Sequence, residues 1–238
     1  VAHHARLAVG VDHRDARAER LGFVHVLGGH GLVVGDVAAD EDQQVRPDPV
    51  LIGDRGGADA QGLREARKEL AGVMMLDGGK RVVEADVEIS EAIDFAEYYR
   101  ASFTRLERET GATFTSRGTV LVTPPWNFPL AIPAGGVLAA LMAGNRVIFK
   151  PALETALVAE RLTRVFYKAG VPSEALQLVL CEDDVASALV KDPRVSSVIL
   201  TGATDTARLF QRMRPGLHLL AETGGKNGAY VSAVSDRE

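Results

Sequence analysis

The sequence predicts an α/β fold built on a parallel sheet, preceded by an N-terminal segment of a different character. Three observations lead there. From Asn145 onward, short apolar runs at residues 147–149, 176–180, 195–201 and 217–221 alternate with stretches whose apolar residues recur at helical spacing. The run 176–180 is apolar but for Gln177, the pattern of a strand covered on both faces. Residues 1–61 avoid whole classes of side chain that the rest of the chain uses freely. Strand–helix alternation implies right-handed crossovers and a sheet whose carboxyl edge gathers ligands, the usual platform for a nucleotide.

Residues 1–61 contain no Ser, Thr, Asn, Lys, Tyr, Met, Trp or Cys, yet hold His3, His4, His13, His25 and His30 of the chain's 6 histidines. Apart from Phe23 and Ile52, every residue type there can be encoded by a codon beginning with G or C. Folded domains use Ser, Thr and Asn at helix starts and turns, because their side chains satisfy free backbone N–H groups. The expectation for residues 1–62 is a segment translated from a non-native frame or strand of a GC-rich gene, or disordered, ahead of a genuine domain at 63–238. Two rival readings stand beside it. The histidines could ligate a metal, but their spacings match no zinc pattern and no cysteine accompanies them, so no metal site is expected. The runs 23–27 and 31–39 could be short strands between glycine turns, making a small β element.

From Leu63 the texture is that of an ordinary domain. Leu63, Ala66, Leu70, Val73 and Met74 recur at helical spacing until Gly78 and Gly79 end the pattern. Ile89, Ala92, Ile93, Ala96, Tyr99, Phe103 and Leu106 mark a longer amphipathic helix. The acidic run 84–91 reads as its solvated start, where carboxylates suit the helix dipole. Residues 113–122 read as one or two strands entering a proline-rich loop. The stretch 130–142, interrupted by Pro133, Gly135 and Gly136, reads as a buried helix, too broken to span a bilayer. After the strand at 147–149, Val158, Leu162, Val165, Phe166 and Ala169 form a helical stripe stopped by Gly170, with Pro172 just beyond. Asp183 and Asp184 open a short helix over 185–190. Residues 205–213 form another, and Pro215 and Gly216 turn the chain into the last strand.

Composition narrows the function classes. At 46% hydrophobic and 25% charged residues the chain is an ordinary globular one. Its net charge of −5 offers no basic face to nucleic acid. No secretory signal and no membrane span is legible, so a soluble, cytoplasmic protein is expected. The single cysteine, Cys181, forms no intramolecular disulfide.

The stretch around which the chemistry gathers is 122–151. Pro124, Pro125, Pro129 and Pro133 each fix φ and withdraw an N–H, which leaves the loop few conformations to lose on folding. Such a loop can hold a polar group, here the Asn127 amide, between apolar neighbours Trp126 and Phe128. It reads equally as a proline-rich turn entering a core helix. Lys150 ends a buried strand and precedes Pro151, so its ammonium emerges at the carboxyl edge of the sheet, where it is either a ligand contact or a snorkelling lysine. The segment TGATDTA, Thr201–Ala207, sits where a strand gives way to a helix, a common junction, and free N–H groups at a helix start can receive a diphosphate. The Gly-rich fingerprint of an ordinary Rossmann dehydrogenase is absent. Glu222 is expected to follow a buried strand, 217–221, and precedes Gly224 and Gly225. A carboxylate at the mouth of an apolar pocket is made more basic by desolvation, which suits a general base; elsewhere it is a solvated loop acid.

Taken in order, TPPWNFP, VIFKP, VILTGATDTA and AETGGKN strongly resemble the aldehyde dehydrogenase family over residues 63–238. Their wording is similar to the glutamate-semialdehyde (pyrroline-5-carboxylate) dehydrogenase domain of bifunctional proline-utilisation proteins. The resemblance implies an NAD-binding domain, with NADP the alternative cofactor, and a small-molecule aldehyde as substrate. It implies a homo-oligomer for the full-length family. It assigns Pro125, Trp126, Asn127, Lys150, Leu200, Thr201, Gly202, Ala203 and Glu222 to the cofactor site. It makes Asn127 the oxyanion donor and Glu222 the general base for the water that cleaves a thioester on a cysteine. Lys150 would contact the adenosine ribose. The family often places a glutamate three residues after this lysine; here Leu153 stands there and Glu154 follows, which leaves the ribose contact and the choice of NAD over NADP open. The family's nucleophilic cysteine lies beyond the AETGGKN motif. Cys181, beside Glu182, Asp183 and Asp184, is expected to be a core residue, because neighbouring carboxylates raise a thiol's pKa. A non-catalytic dinucleotide-binding module or subunit, and an aldehyde dehydrogenase of other specificity, remain alternatives.

Overall fold

The computed structural model describes residues 20–26, 32–38, 55–108, 115–225 and 228. Two antiparallel strands, β1 (Arg20–Val26) and β2 (Leu32–Ala38), pair from Arg20↔Ala38 to Val26↔Leu32. They coincide with the small β element weighed for 23–27 and 31–39. The rest of residues 1–54, with His3, His4, His13 and His30, lies outside the described residues, and so does Lys226–Asn227 of the AETGGKN motif.

Three helices open the domain: α1 (Arg55–Glu65), α2 (Arg67–Asp77) and α3 (Val82–Glu107). The single helix expected from Leu63 is in fact two, broken at Ala66, and the first begins eight residues earlier. Gly56, Gly57 and Gly62 hid that start, since glycine is a poor helix former. Gly62 has a packing reason: a Cβ there would lie 3.2 Å from Val165 Cγ1. The acidic run 84–91 needs a second correction. It is not uniformly solvated, for Glu88 is 1% exposed and lies on the same helix face as Ala85, Ile89 and Ala92.

The remaining chain winds a five-stranded sheet. Its strands are β3 (Thr119–Thr123), β4 (Arg146–Phe149), β5 (Leu176–Leu178), β6 (Val195–Gly202) and β7 (His218–Thr223). Between them run α4 (Ala131–Met142), α5 (Ala156–Lys168), α6 (Asp183–Lys191) and α7 (Thr204–Met213). The order is β5-β4-β3-β6-β7 and every pairing is parallel, so the sequence order reverses between β3 and β6. Of residues 113–122, expected to hold one or two strands, only β3 is a strand among the described residues.

Alternation along β3 divides the core. Val120 and Val122 join α4 and α5 on one face; Leu121 joins Ile148, Val198, Val190 and Phe210 on the other. Pro133 sits in the first turn of α4, where its missing N–H costs no intrahelical bond. The exception to double coverage is β7, an edge strand whose residues are mostly exposed. Its apolar sequence had implied a buried strand ending at Ala221. No helix among the described residues is long and apolar enough to cross a membrane.

Candidate active site

In a parallel sheet with reversed strand order, the crevice at the carboxyl edge beside the reversal is the default ligand site. Register puts four chain segments on that edge. Thr123 pairs with Leu200, Thr201 with Glu222 and Gly202 with Thr223, while Val122 pairs with Phe149 just before Lys150. Strands are spaced about 4.8 Å, so the backbones of Thr123 and Ala221, two strands apart, lie about 10 Å from each other. Asn127 belongs to the loop that leaves Thr123. The sequence candidates therefore share one rim of the sheet.

A cleft of about 440 Å³ opens there. Thr123, Pro124, Leu200, Thr201 and Glu222 line its rim side. Phe95 and Tyr99 of α3, with Ile132, Gly135 and Gly136 of α4, line the other. Lys150, Pro125, Trp126, Asn127, Gly202 and Ala203 are not among its walls. Tyr99 is a site neighbour that sequence reasoning had assigned only to a helix face. It stacks on Phe95 at 5.9 Å and meets Tyr98 edge-on at 5.5 Å. Burial raises its phenol above the usual range, and the charges of Tyr98 and Glu222 push the same way.

Glu222 itself departs from expectation. It lies inside β7, not after it, and is exposed. The reason is the open edge of β7, which leaves the carboxylate in water. The proline loop is anchored at its ends and open at its tip: Pro124 and Pro129 are buried, whereas Trp126, Asn127 and Phe128 are exposed. The Thr123 hydroxyl donates to Ile199 O at 3.2 Å, tying the start of the loop to β6.

Sequence reasoning missed the residue that holds the loop's far end. Oε2 of Glu88 accepts the N–H groups of Leu130 (3.0 Å) and Ala131 (3.1 Å). Its other oxygen is paired with Lys80, whose ammonium lies 4.2 Å from the centroid of the Phe128 ring. A signal was available: Glu88 falls on the stripe Ala85, Ile89, Ala92, Ile93, Ala96 of α3, where a solvated acid does not belong.

Four helix N-termini face this edge, and three carry carboxylates. Glu88 occupies that of α4. Asp77 accepts the N–H groups of Leu157 (2.9 Å) and Val158 (3.1 Å) at α5. At α6, Asp184 accepts the Val185 N–H at 2.8 Å, with Glu182 and Asp183 beside it. At α7 the capping position is Ala203, which has no side-chain acceptor, and the first-turn Asp205 is paired with Arg208 at 3.2 Å. Residues 201–205 thus fit an anionic group such as a dinucleotide's diphosphate.

Lys150 follows β4 directly; its N–H donates to Val122 O at 2.9 Å, and the residue is half-buried. Leu153, where an acid was looked for, is exposed. Cys181 is buried in the core on the α6–α7 side of the sheet. Burial pushes its thiol up; Lys150 opposes this, and Asp184, Glu182 and Asp183 add to it. Such a thiol is a poor nucleophile.

The aldehyde dehydrogenase family matches residues 58–238. A bifunctional protein PutA of Rhizobium meliloti is 41% identical over 172 residues, 69% of this chain and 14% of that protein. A 1-pyrroline-5-carboxylate dehydrogenase of Geobacillus sp. (strain WCH70) is 35% identical over 195 residues, 74% of this chain and 38% of that one. The solved structure of proline utilization A (PutA) from Corynebacterium freiburgense superposes with a TM-score of 0.74 at 41% identity, covering 77% of this chain and 19% of that chain. The chain therefore spans well under half the length of these relatives.

Proposed function

The chain belongs to the aldehyde dehydrogenase family, and we propose that it forms the dinucleotide-holding part of an enzyme that oxidises glutamate γ-semialdehyde to glutamate with NAD. The single observation that supports this reading is the common rim: Asn127, Lys150, residues 200–203 and Glu222 all issue from the carboxyl edge beside the strand-order reversal. The choice of aldehyde rests on the printed names of the relatives, bifunctional PutA and 1-pyrroline-5-carboxylate dehydrogenase.

Each residue then has a role set by its chemistry. The N–H groups at the start of α7 hold the diphosphate, and Lys150 reaches the ribose beside it. NAD, when bound, supplies the hydride acceptor. Asn127 turns a neutral amide N–H toward the substrate oxygen, stabilising its developing charge without an ion's desolvation cost. Glu222, followed by Gly224, takes a proton from the hydrolytic water. Cys181 is no part of this. On this reading it is a core residue, buried on the face of the sheet that α6 and α7 cover.

Titration of NAD and NADP into the purified chain, alone and mixed with the C-terminal half of a 1-pyrroline-5-carboxylate dehydrogenase, tests the proposal. Saturable binding by the chain, with semialdehyde oxidation appearing only in the mixture, is the expected result. Absence of dinucleotide binding in both arms would overturn it. Binding without turnover in any mixture would favour a non-catalytic module, a reading to which the buried, solitary cysteine lends weight.

A further inference from the structure

The dehydrogenase chemistry makes no use of Glu88, yet α3 commits this carboxylate, its one buried acid among the described residues, to a contact with the loop ahead of α4, some forty residues on. We propose that Glu88 and Lys80 are positioning residues for the oxyanion loop, a clamp that holds Asn127 in one orientation at the rim. The inference rests on the reading of Asn127 as the amide donor.

The clamp grips the loop on the C-terminal side of Asn127. One carboxylate oxygen of Glu88 takes the N–H groups of Leu130 and Ala131, where α4 begins. The other takes the Lys80 ammonium, which rests on the ring of Phe128, the residue next to Asn127. Neither partner is replaceable from within the loop. The capping residue of α4 is Leu130, which has no side-chain acceptor. Trp126 is 57% exposed and Phe128 42% exposed, so the tip is not fixed by burial of its aromatic rings. The prolines restrict φ but leave ψ and the side chains free. A buried charge of this kind persists only where it is compensated on every side. Here two N–H groups and a helix N-terminus face one oxygen and an ammonium faces the other.

The chain carries its own probe, since Trp126 is the only tryptophan and lies in the loop. Glu88→Gln and Lys80→Met are made in the 238-residue chain, with far-UV circular dichroism and urea unfolding to establish that each variant is folded. Both variants are expected to increase acrylamide quenching of Trp126 and raise the amplitude of the fast component of its anisotropy decay. In Glu88→Gln the side-chain oxygen can still accept but its charge is gone, so amide exchange at Leu130 and Ala131 should also accelerate by roughly threefold or more, the charge-assisted part of the bond. Lys80→Arg, which keeps the charge and the ring contact, is expected to restore the wild-type signal. Lowered stability with unchanged quenching and anisotropy would reduce Glu88 to a helix cap and overturn the proposal. If Glu88→Gln does not fold, the Lys80→Met and Lys80→Arg pair decides in the same way. None of these readouts involves a dinucleotide or an aldehyde, so failure here is separable from failure of the dehydrogenase reading.

Discussion

Two helical glycines should respond to the same substitution with opposite signs. Gly136 lies in α4 against the sheet, where an added Cβ would sit 2.8 Å from Val122 Cγ1 and 3.6 Å from Ile199 Cγ2. Val122 is 2% exposed and β-branched, so it has little freedom to turn aside. Gly72 lies in α2 with nothing within 4 Å of the same added atom. Neither has positive φ. Alanine therefore gains about 0.5–1 kcal/mol of helix propensity at both positions. At Gly72 nothing opposes it, and Gly72→Ala should stabilise by about that amount. At Gly136 the close approach adds an overpacking cost of about 1–3 kcal/mol, leaving a net loss of about 0.5–2 kcal/mol. Urea unfolding followed by circular dichroism reads both shifts against the wild-type midpoint. Shifts of the same sign, or a stabilised Gly136→Ala, would refute the close packing of α4 on β3.

Asp77→Ala should cost about 1 kcal/mol, the usual worth of a helix cap, because α5 has no side-chain cap of its own to replace it. Differential scanning calorimetry would register the loss as a lower melting temperature, and an unchanged one would dismiss the cap. Stability should also fall on the alkaline side. Burial raises the Cys181, Tyr99 and Tyr167 groups, so the unfolded chain releases their protons first. Their contribution is whole below the ordinary thiol and phenol range, roughly pH 8.5–10, and is lost as pH climbs through the raised values. Urea midpoints at neutral and alkaline pH measure the slope, and Cys181→Ala should flatten it.

The alternating sheet was legible because its physics is local. A strand covered on both faces must be apolar throughout, as at 147–149, and a helix behind it must show a stripe, as Val158, Leu162 and Phe166 do. Three features were harder to read, each for a stated reason. The start of α1 was hidden by Gly56, Gly57 and Gly62, and the last of these serves a close approach to α5 that no local pattern reveals. The exposure of Glu222 follows from β7 being an edge, and strand order is a property of the whole sheet. Glu88 was submerged among Glu84, Asp86 and Glu91, acids that share its stretch but not its face. The rim itself was implied by parallel alternation, whereas Tyr99 joined it only because α3 packs across α4.

The vacancy at α7 yields a test in which stability and ligand binding should move apart. Ala203 has the extended backbone of a capping residue (φ −71, ψ 141) and an exposed side chain, so aspartate fits there without strain. Its carboxylate would accept the first-turn N–H groups and face the positive end of the helix, as Glu88 and Asp77 do for α4 and α5. Ala203→Asp should therefore stabilise the chain by about 0.5–2 kcal/mol. The same carboxylate would stand where a diphosphate must approach, taking its donors and repelling its charge, so dinucleotide affinity should drop by roughly tenfold or more. A thermal scan and a calorimetric NAD titration on one preparation read both effects. A stabilised variant that binds NAD as wild type does would place the diphosphate elsewhere on the edge. The other three N-termini there already hold carboxylates, so the dinucleotide reading would then have no free helix end on which to stand.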